Sequence, residues 1–461
     1  MSEVKVNKIS PRTACGTVTL GDSGDTFTIP SGATITNSGT ASGFGATGET
    51  SWDTTVKTTG TFTATAGVGY FLNTTGGIIT VNLPVGAAGS SVAMADYAAT
   101  WQTNNVTVTP NGSEKIGGSA SSATLSTQGQ SVTFVYIDST QGWVNVIDST
   151  SNVRGAAFVT ATGGTPCSGA IVCTNYKVHT FTGPGAFCVS CAGNPAGSDT
   201  VDYMVIAGGG GGGGGAGPAH SAGAGGAGGY RESPGTASGC YTASPRGVSP
   251  AVALSVPATP YTITVGAGGA GSPCSSAGVS GSNSIFSTIT STGGGGGGSV
   301  AAPHEGLDGG SGGGGSSEGP TGKGSGDTPP APVAQGTDGG DGLGGGGQYG
   351  GGGGGGALTA GGCAVACAAA GAGGNGATSS INATPTARAG GGGGGGSSAG
   401  RPAGAAGPGG GGAGGAAGCG AGGAGTVNTG SGAGGGGGGS GSGGDGGLGG
   451  SGVVIIRYKF Q

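Results

Sequence analysis

Apolar and polar residues alternate in short runs over the first two hundred positions, and no run of useful length keeps a helical period. In "GTVTLGDSGDTFTIPSGATITNSGT", Val18, Leu20, Phe27, Ile29 and Ile35 alternate with threonine and are separated by Gly, Ser, Pro and Asp. This predicts short strands with regular turns over 1–50. So few apolar side chains cannot enclose a core of their own, so the segment reads as a stalk whose rungs are completed by identical chains about one axis. Residues 51–153 carry ordinary core material: "TFTAT", "GYFLN", "GIITVNL", "SSVAMAD", "NVTVTP", "SVTFVYID" and "GWVNVID", with Trp52, Trp101 and Trp143 among them. They predict a small antiparallel β-sandwich or barrel. Residues 154–206 add a β-strand connector that ends in "VDYMVI", where Val201, Tyr203 and Val205 share one face and Asp202, Met204 and Ile206 the other.

That last strand runs directly into "AGGGGGGGG", and 207–452 holds most of the chain's 126 glycines. Two further strands, "YTITV" and "SIFSTITST", also feed into glycine. The chain closes on a strand over 453–461, with Val454, Ile456, Tyr458 and Phe460 on one face and Arg457 and Lys459 on the other. A flexible linker needs no such bracket. Collagen requires a strict third-position glycine with abundant proline, which runs of six to eight glycines break. The calcium-binding β-helix repeat needs an aspartate that "GGDGLGG" and "GGDGGLGG" misplace.

The remaining option is a bundle of polyglycine II helices. Such a helix has three residues per turn and no internal hydrogen bonds, so its outward amides must find partners on neighbouring rods. Runs at 208–217, 223–229, 293–298, 309–315, 339–347, 350–356, 390–396, 409–425, 432–439 and 441–452 read as rods. Side chains larger than alanine are expected to disrupt them. The predicted fold class is mainly β with a polyglycine II domain and essentially no α-helix.

Composition narrows the function. Charged residues make up 7% and the net charge is −5, so no basic footprint for nucleic acid exists. "MSEVKVNKISPR" lacks the apolar core of a secretory signal, which predicts synthesis in a cytoplasm. Of the ten cysteines, Cys167, Cys173, Cys188 and Cys191 form the densest group, but their spacing fits no common zinc pattern, and a strand would aim Cys188 and Cys191 to opposite faces. Cys363 and Cys367 either face each other across a helical turn or fill close-packed positions. "GPTGKGSGD" has Gly324 where a phosphate loop needs Ser or Thr. No Ser/His/Asp order or carboxylate pair stands out, so neither an enzyme nor a cofactor is expected. His179 reads as a residue packed within its strand.

Between the rods lie segments of different composition: 230–250, 299–308, 378–388 and 401–408. They supply Tyr230, Arg231, Tyr241, Arg246, His304, Arg388 and Arg401, polar and aromatic types favoured at binding surfaces. Tyr230 with Arg231 is the foremost pair. The plainer reading is that Tyr230 caps a rod and that His220 and His304 are solvated loop residues.

The opening "MSEVKVNKISPRTACGTVTLGDSGDTFTIPSGATITNSGTASGFG" and the "GWVNVIDSTSN" close of the β module resemble tail-fibre proteins of tailed bacteriophages of marine type. From "KVHTFTGPGAFCVSCAGNPAGSDTVDYMVIAGGGGGG" to "GSGVVIIRYKFQ" the chain is similar to the glycine-rich adhesin domain of such fibres. The resemblance implies a homotrimeric fibre in the virion, joined to other tail proteins near its N-terminus. It also implies a distal domain that binds a bacterial surface receptor, glycan or outer-membrane protein. The contrasting possibility is an extracellular structural or ice-binding protein, which should show a flat face of regularly spaced small residues.

Overall fold

The computed structural model describes residues 9–10, 17–19, 22, 25–26, 28, 50–149, 156–194, 197–217, 219–239, 241–319, 321–345, 349–366, 368–397, 400–439 and 441–461. The stalk predicted over 1–50 lies almost wholly outside them. The chain divides into two compact units, Met1–Val153 and Arg154–Gln461. Strands and extended backbone dominate both, and the one helical element among the described residues is a 3-10 turn at Thr74–Gly76.

The first unit is a sandwich of two sheets. One has the order β1 (Ser51–Lys57), β3 (Val68–Leu72), β5 (Ser91–Asp96), β8 (Ser131–Asp138), β9 (Gly142–Ser149). The other has the order β2 (Gly60–Thr63), β4 (Ile79–Asn82), β6 (Val106–Thr109), β7 (Ala123–Leu125). Leu72, Ile79, Val81, Met94, Trp101 and Trp143 fill the space between them. The expected antiparallel pairing is corrected: β1–β3, β3–β5, β2–β4 and β4–β6 are parallel. Successive strands from β1 to β6 switch sheets, so the chain coils, and every second strand returns in the same direction. Alternation along a strand marks its buried face and carries no information on that choice.

In the second unit, β22 (Val453–Lys459) lies between β12 (Tyr176–Phe181) and β14 (Thr200–Ile206), antiparallel to both. β11 (Thr165–Val172) and β15 (Tyr230–Glu232) extend this sheet, and β16 (Leu254–Ser255) also pairs with β14. A second sheet runs β10 (Val159–Thr162), β13 (Gly185–Ala192), β17 (Pro260–Thr264), β18 (Ser284–Phe286), β19 (Ile289–Ser291). Phe187, Tyr203, Val205, Phe286, Ile456 and Tyr458 pack in one cluster, while Met204, Ile206, Tyr230, Ile381 and Ile455 pack in another. Both faces of β14 and β22 are therefore covered, as their alternation requires. His179 is buried, with Nδ1 2.6 Å from the Gly163 carbonyl oxygen and Nε2 3.0 Å from the Tyr458 hydroxyl. A bulge at Ser190 shifts the register between β10 and β13 and leaves both Cys188 and Cys191 exposed, where opposite faces were expected.

Beyond these strands the glycines build a lattice. Along 207–216, the N–H groups of Gly208, Gly211 and Gly214 donate to the carbonyls of Ser282, Val279 and Ser276. Those of Gly209, Gly212 and Gly215 donate to Gly450, Gly447 and Gly444, and those of Gly210 and Gly213 to Gly226 and Gly223. The carbonyls return the pattern, with Gly208 and Gly211 accepting from Gly294 and Gly297, and Gly210 and Gly213 from Ala433 and Gly436. Bonds that change neighbour at each residue and recur every third are the signature of a three-residue helix packed among parallel and antiparallel copies of itself.

Rod 221–229 is the centre of the bundle. It exchanges backbone bonds with 207–216, 292–298, 311–317, 352–355, 392–395 and 430–436, and with no strand until Tyr230. Around that ring lies an outer layer that includes 266–272, 276–282, 370–376, 402–408, 411–416, 420–426 and 443–451. Here one residue in three faces solvent, as with Ala267 and Ala270, Ala413 and Ala416, or Asp445 and Leu448. Two expectations are corrected. Residues 401–408, read as a loop, form an outer rod, because Gly404 and Gly407 alone need to face inward. Side chains larger than alanine are also tolerated at the outward third position, as Val279 and Leu448 show.

Candidate binding site

Consecutive rods alternate in direction, so the chain reverses at two ends of the bundle. One end carries the strands, the segment 230–259, the turn 287–288, the segment 328–335 and the hairpin β20 (Ala377–Ser379)–β21 (Thr386–Arg388). At the other, bonds from Ala216 to His220, Ser316 to His304, Ser317 to Ser221 and Gly438 to Gly396 tie the reversals into one tip. The seven predicted residues are split between the ends: Tyr230, Arg231, Tyr241, Arg246 and Arg388 at the strand end, His304 and Arg401 at the tip.

Tyr230 and Arg388 are buried, and Tyr241 is half-buried in the same region, so the foremost pair is not an exposed hot spot. Tyr230 is pinned by its position at the exit of the central rod, where its N–H donates to the Gln335 carbonyl. Its hydroxyl donates to Glu232 at 2.9 Å, and Glu232 also accepts from Ser244 N–H at 3.0 Å and Ser379 Oγ at 2.6 Å. Burial holds the Glu232 carboxyl above its usual range, and burial together with that carboxylate raises the Tyr230 phenol. Asp202 accepts from Ser233 Oγ at 2.7 Å and from Ser238 N–H at 2.7 Å. Arg457, fully buried, donates to the carbonyls of Ile381 and Gly239, each at 3.1 Å, with the rings of Tyr176 and Tyr241 about its guanidinium at 5.0 and 5.1 Å. Arg388 is depressed by burial and lies against Met204. This network clamps segment 230–247 and the β20–β21 hairpin onto the sheet, and its hydrogen bonds offset the cost of burying these charges.

Arg231 and Arg246 have a different setting. Both are half-buried and line a pocket of about 170 Å³ whose other walls include Pro250, Val252, Ile289 and Val333. Arg231 Nη1 donates to the Thr290 carbonyl at 3.2 Å and Arg246 Nε to the Ala357 carbonyl at 2.7 Å.

At the tip, His220 pairs with Glu318, and its ring meets Tyr349 edge-on with centroids 4.7 Å apart. His304 is half-buried, with Nδ1 3.2 Å from the Ser299 carbonyl. Gly319, at φ +56°, passes so close that a Cβ there would lie 2.5 Å from the imidazole. Arg401 is buried and donates to the Val365 carbonyl at 2.8 Å, bracing one reversal against another. His304 and Arg401 thus share an end of the bundle, while each contacts its own neighbouring reversal.

Sequence reasoning missed Asp202, Glu232 and Arg457: a charged side chain in a strand gives no sign of which buried donors or acceptors it will meet, and Glu232 fell in a segment read as a loop. It also missed Glu318 and Tyr349, which flank glycine runs. Among the described residues no group of three or more metal-ligating side chains converges. Cys363, close to Asp341, lies on an extended stretch and Cys419, close to Ser442, in a separate turn; Cys367 lies outside the described residues.

A family model described as a glycine-rich domain matches residues 185–459. No curated protein matches the chain.

Proposed function

The chain belongs to the glycine-rich domain family, and on that premise we propose that it is a virion tail-fibre protein, homotrimeric, whose glycine bundle binds a receptor on the bacterial surface without chemistry. Its receptor is a surface glycan or outer-membrane protein, its N-terminal part meets other tail proteins, and no cofactor or nucleic acid takes part. One observation carries this reading. The reversals at the tip are chemically mixed, with His220, His304, Glu318, Tyr349 and Val365, while the rods beneath them are held by backbone bonds that ignore side-chain identity. Such a frame keeps its geometry whatever the loops contain, which suits a recognition surface.

Adsorption of the labelled full chain to a panel of bacteria tests it. Replacing 300–303 with glycine–serine of equal length, and Tyr349 and Val365 with serine, should abolish or redirect adsorption with the melting transition unchanged. Adsorption to no bacterium, or identical adsorption after all the replacements, would overturn the reading. The outward alanines of 411–416 and 420–426 favour the second reading, a structural or ice-binding protein, because they stand three residues apart on adjacent rods. Thermal hysteresis without cell binding would select that one.

A further inference from the structure

The pocket at the strand end joins two chemistries. One wall is apolar, with Pro250, Val252, Ile289 and Val333 contributing no side-chain hydrogen-bonding atom, and Val252 is 67% exposed. The other is cationic. Arg231 is oriented by the Thr290 carbonyl and Arg246 by those of Ala357 and Gly336, and a guanidinium has five N–H donors, so both keep donors for a ligand. No ion pair joins either of them to a carboxylate among the described residues. Two acids stand near. Glu232 is buried, with its oxygens committed to Tyr230, Ser244 and Ser379, and Asp327 Oδ1 accepts from the N–H groups of Ala331 and Gln335. Asp327 offsets part of the Arg246 charge, and the charge of Arg231, which forms no ion pair among the described residues, is left for an outside partner.

The geometry points to a binding site for a single carboxylate-bearing sugar ring. Guanidinium groups pair with carboxylates through two parallel N–H···O bonds, and the C–H face of a pyranose covers an apolar wall that a bare inorganic anion leaves wet. About 170 Å³ gives room for one ring. The site lies at the opposite end of the bundle from the tip reversals and does not depend on their role.

Calorimetric and saturation-transfer NMR titrations of the full chain with glucuronate, glucose and inorganic phosphate test it. Glucuronate should bind, with glucose and phosphate each weaker by roughly tenfold or more, because one lacks the charged acceptor and the other the C–H face. Arg231→Gln and Val252→Asp should each weaken glucuronate by about tenfold, since one removes a donor fork and the other places a like charge at the rim. The replacements of 300–303, Tyr349 and Val365 should leave glucuronate binding intact, which separates this site from the tip. Equal binding of glucose and glucuronate, equal binding of phosphate and glucuronate, or wild-type affinity in both folded variants would overturn the proposal.

Discussion

At Gly211 an added Cβ would stand 1.9 Å from the carbonyl oxygen of Ala270, a backbone atom fixed in a neighbouring rod. Alanine is as impossible there as valine, although Ala222, Ala224 and Ala227 are fully buried in the central rod. Tolerance depends on which of the three faces a residue turns to its neighbours. Gly211→Ala should cost about 3 kcal/mol or more by overpacking, whereas Gly183→Ala, with nothing within 4 Å of its Cβ, should change stability by less than about 0.5 kcal/mol. Chemical denaturation of the two variants checks the pair. The buried carboxyl of Glu232 makes a second residue-level prediction. Burial raises its pKa in the folded state, so the folded chain holds that proton more tightly than the unfolded one. The stability it lends is complete below about pH 4.5 and is lost as pH rises through the raised value. Glu232→Gln, which keeps the shape without the charge, should therefore gain on the wild type between pH 4 and pH 8. Melting curves whose difference stays flat over that range would contradict this.

At the scale of the element, a rod is defined by period three and hardly by composition. Stretches 208–215 and 293–298 are all glycine because all three faces meet backbone, while 276–282 needs only Gly278 and Gly281 to face inward and carries Val279 outward. Inserting one residue after Gly414 would turn all that follows in rod 411–416 by a third of a revolution and drive Ala416 towards its neighbours. Inserting three residues, Gly-Ala-Gly, would add a full turn and keep every face. The single insertion should lower Tm by roughly 5 °C or more, on a scale of about 2–4 °C per kcal/mol, and the triple insertion should do so far less. Equal losses would show that the faces of this rod are interchangeable. The strands follow period two just as strictly. Val454, Ile456 and Tyr458 join one core cluster while Val453 and Ile455 join the other, a division readable directly from "VVIIRYKF".

In the molecule as a whole, the second unit has two interiors of different material. Side chains such as Phe187, Phe286 and Tyr458 form the core at the strand end, and amides hydrogen-bonded between rods form the rest. The closing strand β22 ties them together, since it follows the outer rod 443–451 and lies between β12 and β14. A glycine bundle without such a base would have to offset the large chain entropy of glycine through amide contacts alone. Here the strands deliver each rod at a set position and the lattice starts from a fixed edge. That arrangement also separates regular backbone geometry in the rods from chemical variety at the reversals.

Local order was settled by the sequence. Alternating apolar residues specify strands, and long glycine runs exclude both helix and side-chain core, so strand, rod and the faces of β14 and β22 were legible. Which strands pair was left to the tertiary structure, because parallel and antiparallel neighbours place the same demand on a strand's two faces. The same is true of the candidate binding residues. Tyr230 and Arg388 carry the composition of a recognition surface, yet both are buried, Tyr230 donating its hydroxyl to Glu232 and Arg388 lying against Met204. Arg231 and Arg246 reach a pocket instead, since its walls come from positions far apart in the chain and meet only when the rods have packed.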